Sequence, residues 1–296
     1  MSTPTHFGYV ALIGLPNAGK STLMNTVIGA KVSIVTPKVQ TTRRRVLGVF
    51  MQDNAQVAFL DTPGIFTPST RLDKAMVNVA LQAIQEADLV CVIIDACKRI
   101  SDHERLLTIA KQSGRPICVV LNKVDKAPKE KLLILAQEIS QTYEFKDIFM
   151  ISALKAKGTD DLLKYINEKM PEGQWLFEAD DLTDLSLQDL ATEFTREKLF
   201  AFLHQEIPYG LMVQHELWKE DVPGKVQIYQ RIVIEKNNHK GIVLGHNGAL
   251  IKKVREASQK DIRHLLQKKV QLFLQVVVKE DWKNKPQYFQ DQGLEF

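Results

Sequence analysis

Eight residues near the start of the chain constrain its fold more than any other stretch. Gly14-Leu15-Pro16-Asn17-Ala18-Gly19-Lys20-Ser21 follows the apolar run 9–13 and opens a helical pattern over 20–28. Its glycines permit backbone angles that other residues resist, so successive N–H groups can turn inward around an anion. The helix N-terminus adds partial positive charge. The pattern is G-x-x-x-x-G-K-[ST], which at average composition arises by chance in roughly one chain of this size in a hundred. It predicts a strand–loop–helix unit that wraps phosphates with Gly14, Pro16, Asn17, Ala18, Gly19 and Thr22. Lys20 offers a point charge to the β- and γ-phosphates, and the Ser21 hydroxyl is a Mg²⁺ ligand.

The rest of the first half extends that unit. Apolar runs at 46–50, 57–60, 89–94, 117–121 and 148–151 are mostly separated by helical patterns at 72–86, 102–113, 128–143 and 159–170. Strands alternating with helices predict a mainly parallel sheet covered on both faces. The exception is the pair 46–50 and 57–60. Residues 51–56 between them are too few for a crossover helix, so the pair predicts an antiparallel hairpin at the sheet edge.

The pattern breaks at Met170-Pro171-Glu172-Gly173. An acidic stretch over 178–189 reads as linker and helix start, with Ser186 as N-cap and Asp189 as its capping-box partner. The helix runs to about 205 and stops at 207–210. Strand-like runs at 211–218 and 226–234 flank a turn at 222–224. A glycine-bracketed loop, a basic helix over 249–267 and a strand over 270–278 complete an α-β-β-α-α-β order. The expected domains are 1–172 and 187–285, joined by a linker at 173–186 and followed by a tail at 286–296.

Composition narrows the class further. A length of 296 residues suits about two domains. No stretch approaches the ~18 consecutive apolar residues of a membrane span, and Asp95 interrupts the longest run. The opening residues 1–8 lack the basic-then-apolar order of a signal peptide. Cys91, Cys97 and Cys118 are odd in number and show no metal-ligand spacing; two of them sit inside apolar runs, so they read as reduced core residues of a cytosolic protein. Charge is uneven: 178–223 holds three basic and eleven acidic residues, whereas 224–285 holds fourteen basic and five acidic. That separation predicts either a basic surface in the last third or solvated helix faces.

Three short motifs complete the nucleotide site. Asp61-Thr62-Pro63-Gly64 ends a strand. Asp61 can hold Mg²⁺ through water, and the Gly64 N–H can meet the γ-phosphate. In the loop before it, Thr42, with Thr41 as the alternative, offers a hydroxyl that reaches Mg²⁺ only when a γ-phosphate is present. Asn122-Lys123-Val124-Asp125 follows the run 117–121. The Asp125 carboxylate matches the paired N1–H and N2–H₂ donors of guanine. Adenine lacks that pair and would leave it unpaired at a cost of about several kcal/mol, so GTP is expected rather than ATP. Asn122 ties loops together, and the Lys123 stem packs on the base. In Ser152-Ala153-Leu154, the Ala153 N–H is expected to meet guanine O6.

On these residues the chain resembles the Era family of bacterial GTPases, in the Ras-like TRAFAC class, over nearly its whole length. Residues 14–21, Gln40-Thr41-Thr42-Arg43, 61–64, 122–125 and 152–154 stand where that family has its five GTP motifs. The resemblance implies an α/β Ras-like P-loop GTPase domain, its sheet mostly parallel with one antiparallel edge strand, followed by an α+β type II KH domain. It also implies a ribosome-assembly factor that binds the 3′ end of 16S rRNA in the small subunit. A cytoplasmic monomer is expected, with the peripheral inner-membrane contact that family members can make. Two other readings remain. One is a constitutive RNA-binding module with a structural GTP site. The other is a tRNA-modification GTPase, although such proteins usually add a domain that nothing here matches.

The KH signature is Gly245-His246-Asn247-Gly248, whose glycines let a nucleic-acid backbone approach a groove for about four nucleotides. Lys252, Lys253, Arg255, Lys260 and Arg263 follow as phosphate-attracting residues. The chain departs from the family at His246, usually basic, and at Arg255-Glu256, where a glycine is usual. Ile65 occupies the position of the water-orienting glutamine of Ras-like enzymes. Slow turnover is therefore expected, resting on Lys20, Thr42, Gly64 and Mg²⁺. In related GTPases without that glutamine, an asparagine at the position of Asn17 helps hold K⁺. Arg43-Arg44-Arg45 reads as a basic run entering the edge strand, facing RNA rather than catalytic.

Overall fold

The structure, a computed structural model, describes residues 4–204, 207–288 and 294. The first residues of the signal-peptide reading and most of the tail lie outside them, and the helix expected to run to about 205 ends at Phe202. Contacts divide the chain into two units. Among the described residues, the first holds those up to Ser33, Val39–Asp184 and Leu294; the second holds Ile34–Lys38 and those from Leu185 to Tyr288.

In the first unit, β1 (His6–Gly14), β2 (Val46–Gln52), β3 (Ala55–Asp61), β4 (Leu89–Asp95), β5 (Ile117–Asn122) and β6 (Ile148–Met150) form one sheet in the order β2-β3-β1-β4-β5-β6. Only β2 runs antiparallel, forming with β3 the expected hairpin. All seven residues of β4 are buried, as a central parallel strand covered on both faces requires. The helices are α1 (Lys20–Ile28), α2 (Arg71–Glu86), α3 (Glu104–Gln112), α4 (Lys129–Tyr143) and α5 (Thr159–Lys169). The pattern 102–113 is split, because a 3₁₀ turn over Ile100–His103 precedes α3. Gly14, Asp61, Asp95 and Asn122 end four neighbouring strands, so their loops emerge together at the carboxyl edge, where such sheets bind ligands.

Several expectations are corrected here. The stretch expected as linker runs along the first unit's sheet. Val49 N–H donates to the Leu182 carbonyl (3.0 Å), and Thr183 Oγ1 donates to the Leu47 carbonyl (2.6 Å). Gln56 Nε2 reaches the Phe177 carbonyl at 2.8 Å, and its Oε1 accepts from Leu176 and Phe177 N–H. An edge strand carries backbone groups in need of partners, and this segment supplies them. Of the arginine run, Arg43 is buried, Arg44 is partly buried and Arg45 is exposed in a pair with Glu86. Cys91 and Cys118 lie in the core as free thiols, but Cys97 is exposed.

In the second unit, α6 (Leu187–Phe202) is capped by Ser186, whose hydroxyl accepts from Asp189 N–H at 3.1 Å. The Asp189 carboxylate takes the Ser186 hydroxyl at 2.9 Å. Strands β7 (Leu211–Val222), β8 (Lys225–Ile234) and β9 (Lys269–Val278) form a second sheet, β7/β8 antiparallel and β8/β9 parallel. Between β8 and β9 lie α7 (Asn238–Leu244) and α8 (Ala249–Leu266). Alternate β8 residues Val226, Ile228 and Ile232 are buried, and Ile34 packs in the same cluster as Ala191, Phe194 and Ile262.

Candidate active site and nucleic-acid interface

Lys20 opens α1 and is buried, its Nζ donating to the Gly14 and Leu15 carbonyls at 3.3 and 3.2 Å. Burial pulls the ammonium down to about 8, while the Asp61 carboxylate acts in the opposite direction. Gly64 lies against the phosphate loop, where a Cβ would fall 2.6 Å from Pro16 N, so no side chain fits. Ile65 packs in the apolar core, and its N–H donates to the Gly14 carbonyl at 3.1 Å. It offers no group to orient water.

Three hydroxyls converge on Asp61 Oδ2: Ser21 Oγ at 2.6 Å, Ser33 Oγ at 2.8 Å and Thr42 Oγ1 at 3.4 Å. Asp61 Oδ1 is buried without a partner. Burial pushes this carboxyl above its ordinary range, against the Lys20 charge and the three hydroxyls. Ser21 Oγ and Thr42 Oγ1 stand 3.0 Å apart. Two cis ligands of an octahedral ion at ~2.1 Å are separated by about that distance. An all-oxygen set around an orphaned buried carboxylate oxygen fits Mg²⁺, which Ser21, Thr42 and Asp61 would hold. Thr42, not Thr41, makes the hydroxyl pair.

Asn122 joins three loops. Its Nδ2 donates to the Ala18 carbonyl (2.9 Å), and its Oδ1 accepts from Lys123 N–H (2.8 Å) and Ala153 N–H (3.0 Å). The last bond ties the Ala153 N–H, expected at a base oxygen, to the residue that joins the loops. Asp125 Oδ1 accepts from Ser152 Oγ at 2.8 Å, and Lys155 lies 3.4 Å from its Oδ2. The Ser152 hydroxyl foremost holds this carboxyl below its ordinary range, ionised as a purine donor pair requires. Lys123 Nζ donates to the Asn17 carbonyl (2.6 Å) and to Asp95 Oδ2 (2.7 Å). Leu154 is 73% exposed beside this group. Sequence reasoning missed Asp95 and Ser33, because each acts through a neighbouring strand or loop and belongs to no motif.

In the second unit, Gly245 has φ +73°, and a Cβ there would meet Leu250 Cβ at 2.6 Å. Asn247 and Gly248 also take left-handed angles, so residues 245–248 form a sharp, backbone-exposed turn before α8. Val254, Ser258 and Ile262 bury one stripe of α8, leaving Lys252, Lys253, Arg255, Lys260 and Arg263 exposed. The Lys253 ammonium lies 4.4 Å from the centre of the Phe202 ring. His246 is exposed at the turn.

Comparison with known proteins follows the same division. A family described as "50S ribosome-binding GTPase" matches residues 9–123, and a KH domain family matches 206–283. The chain is 47% identical over 293 residues to GTPase Era of Mesorhizobium japonicum, covering 99% of this chain and 94% of the relative. It is 46% identical over 296 residues to GTPase Era of Brucella suis, covering 100% and 95%. A crystal structure of an Aquifex aeolicus Era variant bound to GDP and AlF₄⁻ matches with TM-score 0.94 and 39% identity, over 99% of this chain and 100% of that one. Equal values hold for Era in complex with MgGDPNP and nucleotides 1506–1542 of 16S ribosomal RNA.

Proposed function

The chain belongs to the Era family of GTPases, and from that premise we propose a GTP-hydrolysing switch that binds the 3′ end of 16S rRNA and acts in small-subunit assembly. The observation that carries the reading is the meeting, at one sheet edge, of a phosphate loop, the Ser21–Thr42 hydroxyl pair and the Asp125 carboxylate. Residues 14–22 wrap the phosphates, with Lys20 giving the charge that stabilises the departing phosphate. Bound Mg²⁺ supplies neutralisation of the phosphate oxygens. Asp125 reads guanine. With Ile65 in place of a polar residue and no arginine assigned to the reaction, ~10³–10⁵ of rate enhancement is forgone, and intrinsic turnover is slow. Asn17 holds K⁺ at the phosphate loop; equal hydrolysis rates in K⁺ and Na⁺ would remove that part of the proposal.

The turn at 245–248 and the exposed Lys252 and Lys253 form the RNA-binding element, as the rRNA complex of a relative supports. Cytoplasmic location, peripheral contact with the inner membrane and a monomeric state belong to the same family reading. Among the described residues, no helix is long and apolar enough to cross a membrane.

Two measurements test the proposal. Guanine nucleotides should bind selectively over adenine ones in Mg²⁺, and Asp125→Asn should move preference toward xanthine nucleotides, whose C2 carbonyl accepts from the new amide. Filter binding of a 3′-terminal 16S rRNA oligonucleotide should differ between a GTP analogue, GDP and no nucleotide. Equal affinity in all three would favour a constitutive RNA-binding module.

A further inference from the structure

Ser33 sits outside every nucleotide motif, yet each of its polar groups is committed. Its N–H donates to Asn25 Oδ1 at 3.0 Å, beside the Val32 N–H at 3.1 Å. Its carbonyl accepts from Asn25 Nδ2 at 2.7 Å. Its hydroxyl donates to Asp61 Oδ2 at 2.8 Å, and the residue is 4% exposed. Asn25 lies on α1, the helix that also carries Lys20 and Ser21. One helix therefore fixes both Ser21 and Ser33 on the same carboxylate oxygen.

The other two donors to that oxygen also have work at the metal. Ser21 and Thr42 are the residues that would turn lone pairs to Mg²⁺, and Thr42 stands on a loop expected to shift with nucleotide state. Ser33 has no such second role, and its backbone is pinned whatever the loop beyond it does. We infer that Ser33 is a positioning residue for Mg²⁺: it holds Asp61 at Oδ2, the oxygen that Ser21 and Thr42 also meet, and so fixes the carboxylate beside the hydroxyl pair that would hold the metal. Donors that orient a carboxylate beside a metal tune metal affinity by about tenfold or more. The inference rests on the nucleotide site proposed above.

The test is release of a fluorescent GDP analogue from the full-length protein, followed in EDTA and over a series of free Mg²⁺ concentrations. For the native protein, Mg²⁺ should slow release with a defined midpoint. Ser33→Ala should move that midpoint roughly tenfold toward higher Mg²⁺ while leaving the EDTA rate unchanged, and Ser33→Thr, which keeps the hydroxyl, should restore it. Should Ser33→Ala fold poorly, Ser33→Cys, a weaker donor of similar size, carries the same expectation. An unmoved midpoint overturns the role of Ser33 alone. Failure of the native protein to bind the analogue, with or without Mg²⁺, overturns the nucleotide site itself.

Discussion

Asn122 and Asp125 are legible in the sequence because purine recognition places an amide and a carboxylate at fixed offsets beyond a strand end. Asp95 is not, although it is as close to the chemistry. Parallel pairing sets Asp95 of β4 opposite Asn122 of β5, and only that adjacency brings its carboxylate to Lys123. Burial pushes the Asp95 carboxyl up, but the Lys123 ammonium and the Cys97 N–H outweigh it, so the group is held below its ordinary range. Lys123 thus spans the phosphate loop, through the Asn17 carbonyl, and the strand end, through Asp95. A hydrogen bond to a charged partner contributes about 1.5–3 kcal/mol, and partial exposure trims it. Asp95→Asn should therefore weaken GDP and GTP alike by about tenfold, with guanine-over-xanthine preference intact. Titration of both nucleotides by calorimetry checks this. In a Lys123→Met background the same substitution should add no further loss; additive losses would show that Asp95 acts elsewhere.

Strands and helices of the first unit follow the hydrophobic period closely, since buried parallel strands read as unbroken apolar runs. Polar segments that are satisfied by side chains read less well. The acidic stretch after residue 173 has the composition of a tether, yet it lies on the exposed edge of β2. The start of α2 is another case. Thr70 Oγ1 accepts from Asp73 N–H at 3.1 Å, and Asp73 Oδ2 accepts from Thr70 N–H at 2.9 Å, closing a capping box that the apolar period does not reveal. Ser69 adds its hydroxyl to the same oxygen at 2.7 Å. Burial would raise the Asp73 carboxyl, but these donors prevail and hold it below its ordinary range. Asp73→Ala should lower unfolding free energy by about 1 kcal/mol in urea titrations at neutral pH. Because the folded-state value is the depressed one, the stabilisation is complete above the ordinary aspartate range and fades as pH falls through the lower folded value. The difference between native and variant should therefore shrink in strong acid; a constant gap would mean that the loss is packing rather than charge.

At the scale of the molecule, motif order and charge asymmetry suffice to read a nucleotide module followed by a nucleic-acid module. What cannot be read is that five residues of the first half belong with the second. Ile34 is buried among Ala191, Phe194 and Ile262, and Val35 N–H donates to Glu197 Oε1 at 3.2 Å. Lys38 Nζ donates to the Phe200 and Leu203 carbonyls at the end of α6. A cation at the C-terminus of a helix opposes the partial negative charge of its last carbonyls. The flanking residues Ser33 and Thr42 both bond to Asp61. Segmenting a sequence into consecutive blocks cannot assign the middle of a loop to a later domain, so this connection is invisible until contacts are known. It gives the proposed switch a covalent route to test, because a shift of Thr42 with nucleotide state reaches residues 34–38 along the chain unless residues 39–41 take it up. Lys38→Met removes the ammonium while leaving Ile34 in its core. It should leave GDP and GTP affinities within about twofold, since its ammonium is bound to the α6 carbonyls, and reduce the ratio of rRNA affinities between the GTP-analogue and GDP forms. Fluorescence anisotropy with a labelled 3′-terminal 16S rRNA oligonucleotide measures that ratio. An unchanged ratio in a variant that melts like the native protein would place the coupling in some other part of the chain.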